Sequence, residues 1–312
     1  MRVLAFDLGG TRLKAGIVDR AGHVLNVVEP VPVAGLDAVT ALAEVERLGR
    51  MLLAESGGVD AIGLGVPGLV TDGRVHSLPG KFPGITDLDL GADLTEWFGA
   101  PATVVNDAIA YGAGEVTAGA GRGAPRVAVI TIGTGVGCAV FENGQSITEG
   151  LHGGGILGGH LPVGDPIGPR DTAGQRGSFE ARCRADRIVD EAREAGAQVV
   201  DVPGVYAAVA AGDRAAIAGM DAYRGWFARG LVAIIHAFTP DVIVVGGGPM
   251  VAGSPVLDGV ADRVRELVWP DLSVDVRRAE GGDDASLIGV AWLAGRAQNG
   301  AAHAPDARTA HE

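Results

Sequence analysis

The chain alternates short apolar runs with glycine-rich turns. The first run, residues 3–6, has the length of a buried strand, and residues 15–18 form a second run of the same kind. A Gly-Gly pair lies between them, so the pattern predicts a β-hairpin. The same order of strand, glycine turn and strand recurs over residues 127–141. A third apolar run, residues 242–245, leads into a Gly-Gly-Gly turn and predicts another buried strand.

Longer segments show the periodicity of amphipathic helices. Residues 36–55 carry apolar side chains at spacings of three and four, which predicts a helix. The other predicted helices are residues 93–98, the segment after Asp107, the segment from Glu180, residues 213–238 and residues 285–297. Strands that alternate with helices predict a protein of the α/β class.

Composition and charge narrow the class of protein. Hydrophobic residues make up 47% of the 312 residues and aromatic residues only 4%, so the core must consist mainly of Val, Leu, Ile and Ala. The 51 glycines lie at turns without a collagen-like repeat, which favours a globular protein. The net charge of −13 opposes nonspecific binding to nucleic acid and favours solubility.

The cysteines and the lengths of the apolar runs indicate the cellular compartment of the protein. Cys138 and Cys183 cannot form a disulfide framework and fit a reducing environment. The chain enters its first strand without a signal-peptide pattern, and no apolar run reaches the ~20 residues that a membrane helix needs. We therefore expect a soluble, cytoplasmic protein with neither a nucleic-acid nor a membrane partner.

The first turn combines groups that can hold a phosphate and a metal ion. Gly9 and Gly10 lack a Cβ, so a ligand can approach the backbone and a positive φ is allowed. Thr11 adds a hydroxyl, Lys14 adds a cation, and Asp7 ends the preceding strand. A carboxylate beside an anion-binding turn fits a hydrated Mg²⁺ that is shared with substrate phosphates. An ordinary glycine-rich hairpin is the alternative interpretation.

A second turn and a polar pair extend this candidate chemistry. Gly133, Thr134 and Gly135 form a turn of the same type, and Asn106 and Asp107 lie between the two turns along the chain. Asp107 follows an apolar strand and precedes a predicted helix. A carboxylate at that position can cap the helix, or it can accept a proton in catalysis.

These motifs, in this order, resemble the ROK family, which contains repressors, sugar kinases and uncharacterised members. The resemblance covers about residues 3–295, which is nearly the whole chain. The motifs that carry it are Asp7-Leu8-Gly9-Gly10-Thr11, Gly65-Val66-Pro67-Gly68, Asn106-Asp107-Ala108, Gly133-Thr134-Gly135-Val136-Gly137 and Gly159-His160.

The resemblance implies a fold and a domain organisation. The expected fold is the two-domain α/β fold of actin-like ATPases and sugar kinases (ribonuclease H-like), with a cleft between the domains. Residues 1–107 would form a small N-terminal domain that is completed by the helix 285–297, and residues 108–284 would form a large domain. Residues 298–312 are predicted to be a disordered tail. A homodimer is expected from the resemblance alone.

The resemblance also implies a reaction. The γ-phosphoryl group of ATP would pass to the 6-hydroxyl of a hexose, with glucose as the favoured substrate and Mg²⁺ as cofactor, and Asp107 would accept the hydroxyl proton. The implied sugar ligands are Gly68, Asn106, Asp107, His160 and Glu180. The implied nucleotide and phosphate ligands are Asp7, Gly9, Gly10, Thr11, Lys14, Gly133, Thr134, Gly135, Gly247 and Gly248, with Asp7 holding Mg²⁺ through water.

Departures from the family pattern leave the sugar open. Leu157 stands where the family usually has a sugar-binding Glu, and Ser77 replaces an Asn in the loop that lines the sugar pocket. Zinc-containing members follow the His with a Cys-x-Cys…Cys segment, and alignment places Asp171, Ala173 and Ser178 at those positions. One His and one Asp do not hold a structural zinc ion, so no zinc is expected.

Several alternatives therefore stay open. Mannose, allose or an amino sugar such as N-acetylmannosamine competes with glucose, and polyphosphate competes with ATP as the donor. A sugar-responsive repressor of this family would carry a helix-turn-helix before the first strand, where this sequence has two residues. A catalytically silent sugar-binding protein is a third interpretation, which the presence of Asp7, Thr11 and Asp107 disfavours.

Overall fold

The computed structural model describes residues 1–147 and 157–301, which form two compact α/β units. The first unit contains residues 1–114 and the C-terminal helix, and the second contains residues 115–283. Within the described residues, no helix is both long enough and apolar enough to cross a membrane.

The strands and helices follow in chain order. The strands are β1 (Arg2–Leu8), β2 (Arg12–Asp19), β3 (Val24–Val27), β4 (Val31–Pro32), β5 (Ala61–Val66), β6 (Leu69–Thr71), β7 (Arg74–Ser77), β8 (Ala102–Asn106), β9 (Arg126–Ile132), β10 (Val136–Glu142), β11 (Gln145–Ser146), β12 (Val242–Gly247) and β13 (Asp275–Arg278). The α-helices are α1 (Ala38–Ser56), α2 (Leu90–Phe98), α3 (Asp107–Thr117), α4 (Phe179–Cys183), α5 (Asp186–Glu194), α6 (Val202–Ala210), α7 (Arg214–Phe238), α8 (Val260–Leu267) and α9 (Ala285–Ala301). Short 3-10 helices lie at Ile85–Asp87, Gly158–His160, Gly248–Met250, Pro255–Leu257 and Gly282–Asp284.

The sheet of the first unit has the order β3-β2-β1-β5-β8, with β4 beside β2. β1 and β2 form the predicted hairpin, whereas β1, β5 and β8 are parallel. Side chains of β1 alternate between two cores: Leu4, Phe6 and Leu8 face one cluster, and Val3 and Ala5 face the cluster that includes α9. The carboxyl ends of the parallel strands meet at one edge, which is where α/β sheets bind ligands. Asp7, the segment after β5, Asn106 at the end of β8 and Asp107 directly after it therefore come together.

The sheet of the second unit has the order β11-β10-β9-β12-β13. β9 and β10 are antiparallel, and β9, β12 and β13 are parallel. Apolar side chains of β9, β10 and β12 form one core with residues of α4 to α8. The carboxyl ends of β9 and β12 again share an edge, and each is followed by a glycine-rich turn.

Some element boundaries differ from the prediction. The helix predicted from Glu180 is two helices, because Arg184 has an extended backbone (φ −60°, ψ 161°) that ends α4 before α5 begins. α9 continues to Ala301, so the first four residues of the predicted disordered tail are helical, while residues 302–312 lie outside the described residues. The pattern also missed the short elements α6, α8, β6 and β7.

In the sequence, the boundary between the two units falls inside α3, between residues 114 and 115, rather than between 107 and 108. The first turns of α3 pack tightly on α9. A Cβ on Gly114 would lie only 2.0 Å from the carbonyl oxygen of Ala285, so no larger residue fits there. This contact places most of α3 with the first unit.

Candidate active site

Asp7 lies near the end of β1, where the last helix of the chain contacts its carboxylate. Ser286, buried near the start of α9, donates a hydrogen bond from Oγ to Asp7 Oδ2 at 2.6 Å. Burial raises the pKa of Asp7, while the Ser286 bond and the charge of Lys14, its cross-strand partner, oppose that rise. A half-buried carboxylate whose charge is only partly offset is a suitable ligand for a cation.

Asp107 begins α3, and its Oδ1 accepts the backbone N–H of Ala108 at 2.9 Å. Burial raises the pKa of Asp107 to about 6, the charge of Asp7 adds to the rise, and the charge of Lys81 opposes it. A carboxyl group with this pKa is largely ionised at neutral pH and is still basic enough to accept a proton. The geometry therefore suits the predicted role of general base.

Asn106 caps α3 and joins it to the segment after β5. Its Oδ1 accepts the N–H groups of Ala108 at 2.9 Å and Ile109 at 3.4 Å, and its Nδ2 donates to the carbonyl oxygen of Gly68 at 2.9 Å. Gly68 has φ 100°, and a Cβ there would lie 2.5 Å from the carbonyl oxygen of Ser77. The two predicted sugar ligands are thus hydrogen-bonded to each other.

Lysine and arginine together number 25 in the chain, but only two of them are lysines. Both lysines lie in the first unit, at the edge of the sheet where Asp7 and Asp107 lie. Lys14 is opposite Asp7 in the hairpin. Lys81, in the loop after β7, lies against the first turn, since a Cβ on Gly10 would be 2.9 Å from its Nζ. Lys81 also acts electrostatically on Asp107. The Lys81 cation and the carboxylates of Asp7 and Asp107 thus lie close together at the first turn.

The backbone of the first turn is regular. Gly9 donates its N–H to the carbonyl oxygen of Arg12 at 3.0 Å, and the exposed Thr11 accepts the N–H of Val33 at 3.0 Å. Neither Gly9 nor Gly10 adopts a positive φ. The absence of a side chain at Gly10 therefore provides space for Lys81 rather than an unusual backbone conformation.

The second turn, Gly133-Thr134-Gly135, joins β9 to β10 in the second unit. Gly133 donates its N–H to the carbonyl oxygen of Gly135 at 2.9 Å, and Thr134 is exposed. Gly247 pairs with Ile132 across the parallel strands, so Gly247 and Gly248 lie beside this turn. A Cβ on Gly247, which has φ 99°, would lie 2.1 Å from the carbonyl oxygen of Ile132. The predicted phosphate and nucleotide residues of this unit are therefore neighbours.

Glu180 is buried in α4 and connects the second turn to the loop before α4. Its Oε2 accepts the N–H of Val136 at 2.9 Å, and its Oε1 accepts the N–H and the Oγ1 hydroxyl of Thr172 at 2.7 Å and 2.6 Å. A Cβ on Gly135 would lie 2.5 Å from Oε2. The predicted sugar ligand thus already has three protein donors.

His160 ends the 3-10 helix Gly158–His160, and 21% of its side chain is exposed. Its Nδ1 lies 2.9 Å from Oδ2 of Asp171, whose side chain is fully buried. Asp171 also accepts the hydroxyl of Ser178 at 2.7 Å and the N–H of Gln175 at 2.8 Å. Leu157, before this helix, is 56% exposed.

The donors around His160 do not fit the zinc site of zinc-containing family members. The three cysteine positions hold Asp171, Ala173 and Ser178, so no thiolate is available, and structural zinc sites rely on thiolates and imidazoles. His160, Asp171 and Glu180 each bring one potential ligand atom within 4.8 Å of the others. Both carboxylates, however, accept hydrogen bonds at both of their oxygens from protein donors.

Sequence reasoning missed the contacts that four residues make in these clusters. Ser286 lies next to the predicted start of a helix, but nothing local indicates that it contacts a residue 279 positions away. Lys81 has a usable signal, because it is one of only two lysines in the chain. The contacts of Asp171 and Thr172 depend on the path of a loop, for which the sequence carries no periodicity.

Comparison with known proteins identifies the family. The chain matches the ROK family over residues 3–297. It is 30% identical to a glucokinase of Thermotoga maritima, over 94% of this chain and 97% of that protein. Its fold is similar to the crystal structure of a ROK hexokinase from Thermus thermophilus (TM-score 0.82, 29% identity, 96% of this chain and 100% of that chain). It is also similar to a ROK family glucokinase from Streptomyces griseus in complex with glucose and AMPPNP (TM-score 0.78, 26% identity, 95% and 100% covered). The mixed α/β fold is thus that of the ROK sugar kinases, of the actin-like ATPase type, and the chain belongs to the ROK family.

Proposed function

We propose that the protein transfers the γ-phosphoryl group of ATP to the 6-hydroxyl of a hexose, with glucose as the first substrate. The observation that carries the proposal is Asp107, a carboxylate with a pKa of about 6 that lies beside Asp7 and Lys81. The similarity to a glucokinase of Thermotoga maritima and to a glucokinase in complex with glucose and AMPPNP supports this choice of sugar and nucleotide.

Asp107 would act as the general base. The attacking hydroxyl becomes a better nucleophile as its proton moves to the carboxylate, which typically accelerates such a step by ~10²–10⁴-fold. The neighbouring Asp7 keeps the proton affinity of Asp107 high, and Lys81 keeps the carboxylate ionised near neutral pH. The protonated Asp107 would then lose its proton to solvent after the product leaves.

The glycine turns and the two lysines would hold the phosphates. Backbone N–H groups of Gly10 and Thr11 and of the second turn are donors of the kind that bind phosphate oxygens. Lys81 would neutralise charge on the transferred group, and Gly247 and Gly248 would receive the adenosine. Asp7 fits a hydrated Mg²⁺, which would supply further charge neutralisation when bound.

The sugar would be held by Gly68, Asn106, His160 and Glu180. Asn106 and Glu180 already make protein hydrogen bonds, so their remaining acceptor and donor positions are oriented before a ligand arrives. Each buried polar group that a wrong epimer leaves unpaired costs ~1–3 kcal/mol. Leu157 cannot supply such a group, so an amino sugar or another hexose with an apolar contact at this position is the second candidate substrate class.

The proposal is tested by ADP release with Mg-ATP over a panel of glucose, mannose, allose, glucosamine and N-acetylmannosamine. Asp107→Asn removes the base without changing shape, and Asp87→Asn, an exposed aspartate of the same unit, is the matched control. Glucose turnover that is lost only in Asp107→Asn supports the proposal, and phosphorus NMR of the product identifies the hydroxyl. Saturable sugar binding without turnover of any sugar would contradict it. A parallel assay with polyphosphate decides between the donors.

We further propose a cytoplasmic homodimer in which the two units act as the two domains of the kinase. The family resemblance supports the homodimer. The two free buried cysteines and the acidic net charge support the cytoplasmic location. Light scattering of the purified protein checks the dimer, and a monomeric mass at assay concentrations would contradict it.

A further inference from the structure

The segment Asp171–Thr172 lies at the centre of a buried hydrogen-bond network in the second unit. Burial raises the pKa of Asp171, but hydrogen bonds from His160, Ser178 and Gln175 outweigh that effect, and the net pKa is below its ordinary value. Asp171 is therefore an ionised, acceptor-only group at neutral pH. Its contact at 2.9 Å with the imidazole requires the proton to be on Nδ1 of His160.

A proton on Nδ1 of His160 determines which ring nitrogen can bind a ligand. With Nδ1–H donated to Asp171, Nε2 is the ring nitrogen that remains for a ligand, and in the neutral ring it is an acceptor for a hydroxyl. The contact with Asp171 also fixes the ring plane, in the way that a carboxylate orients a metal-bound or catalytic imidazole. Asp171 thereby determines both the tautomer and the orientation of His160.

The next residue connects the same segment to the second turn. Thr172 donates its N–H and its hydroxyl to Glu180, and Glu180 accepts the N–H of Val136, the first residue after that turn. A continuous path therefore runs from His160 by a hydrogen bond to Asp171, along the chain to Thr172, and by hydrogen bonds through Glu180 to the first residue after the Gly133–Gly135 turn. Each hydrogen bond of this path has a carboxylate as its acceptor, and bonds to an ionised acceptor are about twice as strong as neutral ones.

We infer that Asp171 and Thr172 are positioning residues that hold His160 and the second turn in register without a metal ion. Asp171 orients the histidine toward a sugar hydroxyl, and Thr172 with Glu180 fixes the turn that binds phosphate. That the ligands are a sugar and a phosphate rests on the proposed function. The hydrogen-bond network does not rest on it, because all of its members lie within the described residues of the second unit.

The network takes the place that a structural metal would have. A cation at His160, Asp171 and Glu180 would have to displace donors from carboxylate oxygens that are already satisfied, and Ala173 offers no ligand. The hydroxyl of Ser178, a poor metal ligand, donates to Asp171 instead. Hydrogen bonds therefore supply the rigidity that metal coordination would otherwise supply.

The first experiment measures the histidine tautomer and does not require activity. Nitrogen NMR of isotope-labelled protein, with the His160 signal assigned from a His160→Asn variant, should show the Nδ1–H form in the wild type. In Asp171→Asn the amide cannot accept from all three donors, so the ring should populate both tautomers. An Nε2–H ring in the wild type, or an unchanged ring in the variant, would overturn the inference.

The second experiment measures metal content and chelation. Purified protein should contain far less than one equivalent of zinc, and treatment with a zinc chelator followed by Mg-ATP should leave both the tautomer and the rate unchanged. One equivalent of zinc that is removed by the chelator, and that is missing in Asp171→Asn, would assign the cluster to a metal site instead.

The third experiment separates sugar from nucleotide. Asp171→Asn should raise KM for the sugar by about tenfold, the effect of one lost charge-assisted hydrogen bond, and change KM for ATP by less than about twofold. Thr172→Val, which removes only the hydroxyl bond to Glu180, should raise KM for ATP more than KM for the sugar. Asp165→Asn, an exposed aspartate of the same loop, is the matched control. Equal effects of Asp171→Asn on both substrates would reduce it to a structural role.

The outcomes distinguish the two proposals. If the wild type turns over no sugar but shows the Nδ1–H ring and no bound zinc, the proposed function fails and the network stands. If Asp171→Asn does not fold, Ser178→Ala removes one donor to Asp171, together with the N-cap of α4, while keeping the ring contact. It should leave the tautomer in place and raise sugar KM by only about twofold to threefold.

Discussion

Electrostatics at Asp107 and its neighbours determine what the first unit can do. Two half-buried carboxylates, Asp7 and Asp107, lie at the end of one sheet, and Lys14 and Lys81 are close enough to affect them. Burial favours the protonated form of both acids, whereas the lysines favour the ionised form. The two acids interact, so the pH dependence that they produce belongs to the pair.

The first prediction concerns the pH dependence of turnover. Because the base must be ionised, kcat/KM for the hexose should fall about tenfold per pH unit below about pH 6 and should be level above it. Initial rates between pH 5 and pH 8 at saturating Mg-ATP measure this profile. A rate that is level down to about pH 4.5 would exclude Asp107 as the base.

The second prediction concerns stability. The pKa of Asp107 is raised in the folded state, so the folded protein binds the proton more tightly than the unfolded chain, and stability falls as pH rises from about 4 to about 6. Asp107→Asn removes this cost and should raise the free energy of unfolding at pH 7 by an amount on the order of 3 kcal/mol at most. The gain should vanish below about pH 4. Thermal unfolding of both proteins between pH 4 and pH 8 checks it, and a variant that is less stable at every pH would contradict it.

The third prediction concerns Lys81. Lys81→Met should raise the apparent pKa of the pH–rate profile, because the lysine charge lowers the pKa of Asp107, and should reduce kcat at pH 7 by roughly tenfold or more. Lys81→Arg should restore the profile only in part, since the wider guanidinium must fit against Gly10. Arg20→Met, which removes an exposed charge of the same unit, should change neither quantity.

The turns between strands show how an element constrains its neighbours. Gly133 and Gly135 belong to the same turn and neither has a positive φ, yet their surroundings differ. A Cβ on Gly133 would meet no atom within 4 Å, whereas a Cβ on Gly135 would lie 2.5 Å from a Glu180 oxygen. Glu180 cannot move away easily, because three donors hold its carboxylate.

The fourth prediction uses these two glycines as a matched pair. Gly135→Ala should lower the stability of the protein by about 1–3 kcal/mol, as expected for overpacking against a fixed group. Gly133→Ala should stay within about 0.5 kcal/mol of the wild type. Denaturant unfolding of both variants measures the difference, and equal destabilisation would show that Glu180 is free to move.

On the scale of the whole molecule, one buried acid holds the two segments by which the chain enters and leaves the second unit. Glu115, the first residue of the second unit, is fully buried and accepts backbone N–H groups from Ala120, Glu280 and Gly281 at 2.9, 3.1 and 2.7 Å. The segment 280–281 lies just before the chain leaves this unit. Glu115 therefore ties together the two places where the chain enters and leaves it.

The fifth prediction tests this contact. In Glu115→Gln the amide NH₂ would face a backbone donor, and a buried donor without a partner costs ~1–3 kcal/mol. The midpoint of thermal unfolding should fall accordingly, whereas Glu266→Gln, at an exposed position of α8, should leave it unchanged. A Glu115→Gln midpoint equal to that of the wild type would show that water replaces the lost acceptor.

Elements with strong local patterns could be predicted from the amino-acid sequence. The hairpin after Asp7, the second glycine turn, the strand before Asn106 and the long helix α7 follow from apolar runs, turn residues and helical periodicity, which act over a few neighbouring residues. The order of the motifs along the chain was sufficient to indicate the family, and the match over residues 3–297 confirmed it.

Contacts between side chains of distant elements became visible only in the folded protein. Ser286 contacts Asp7 across 279 positions, Lys81 occupies the space that Gly10 leaves, and Asp171, at a position where zinc-containing family members have a cysteine, binds His160. These contacts depend on how strands pair and how loops return to the sheet. No periodicity within one segment encodes them, because each partner lies on a different element.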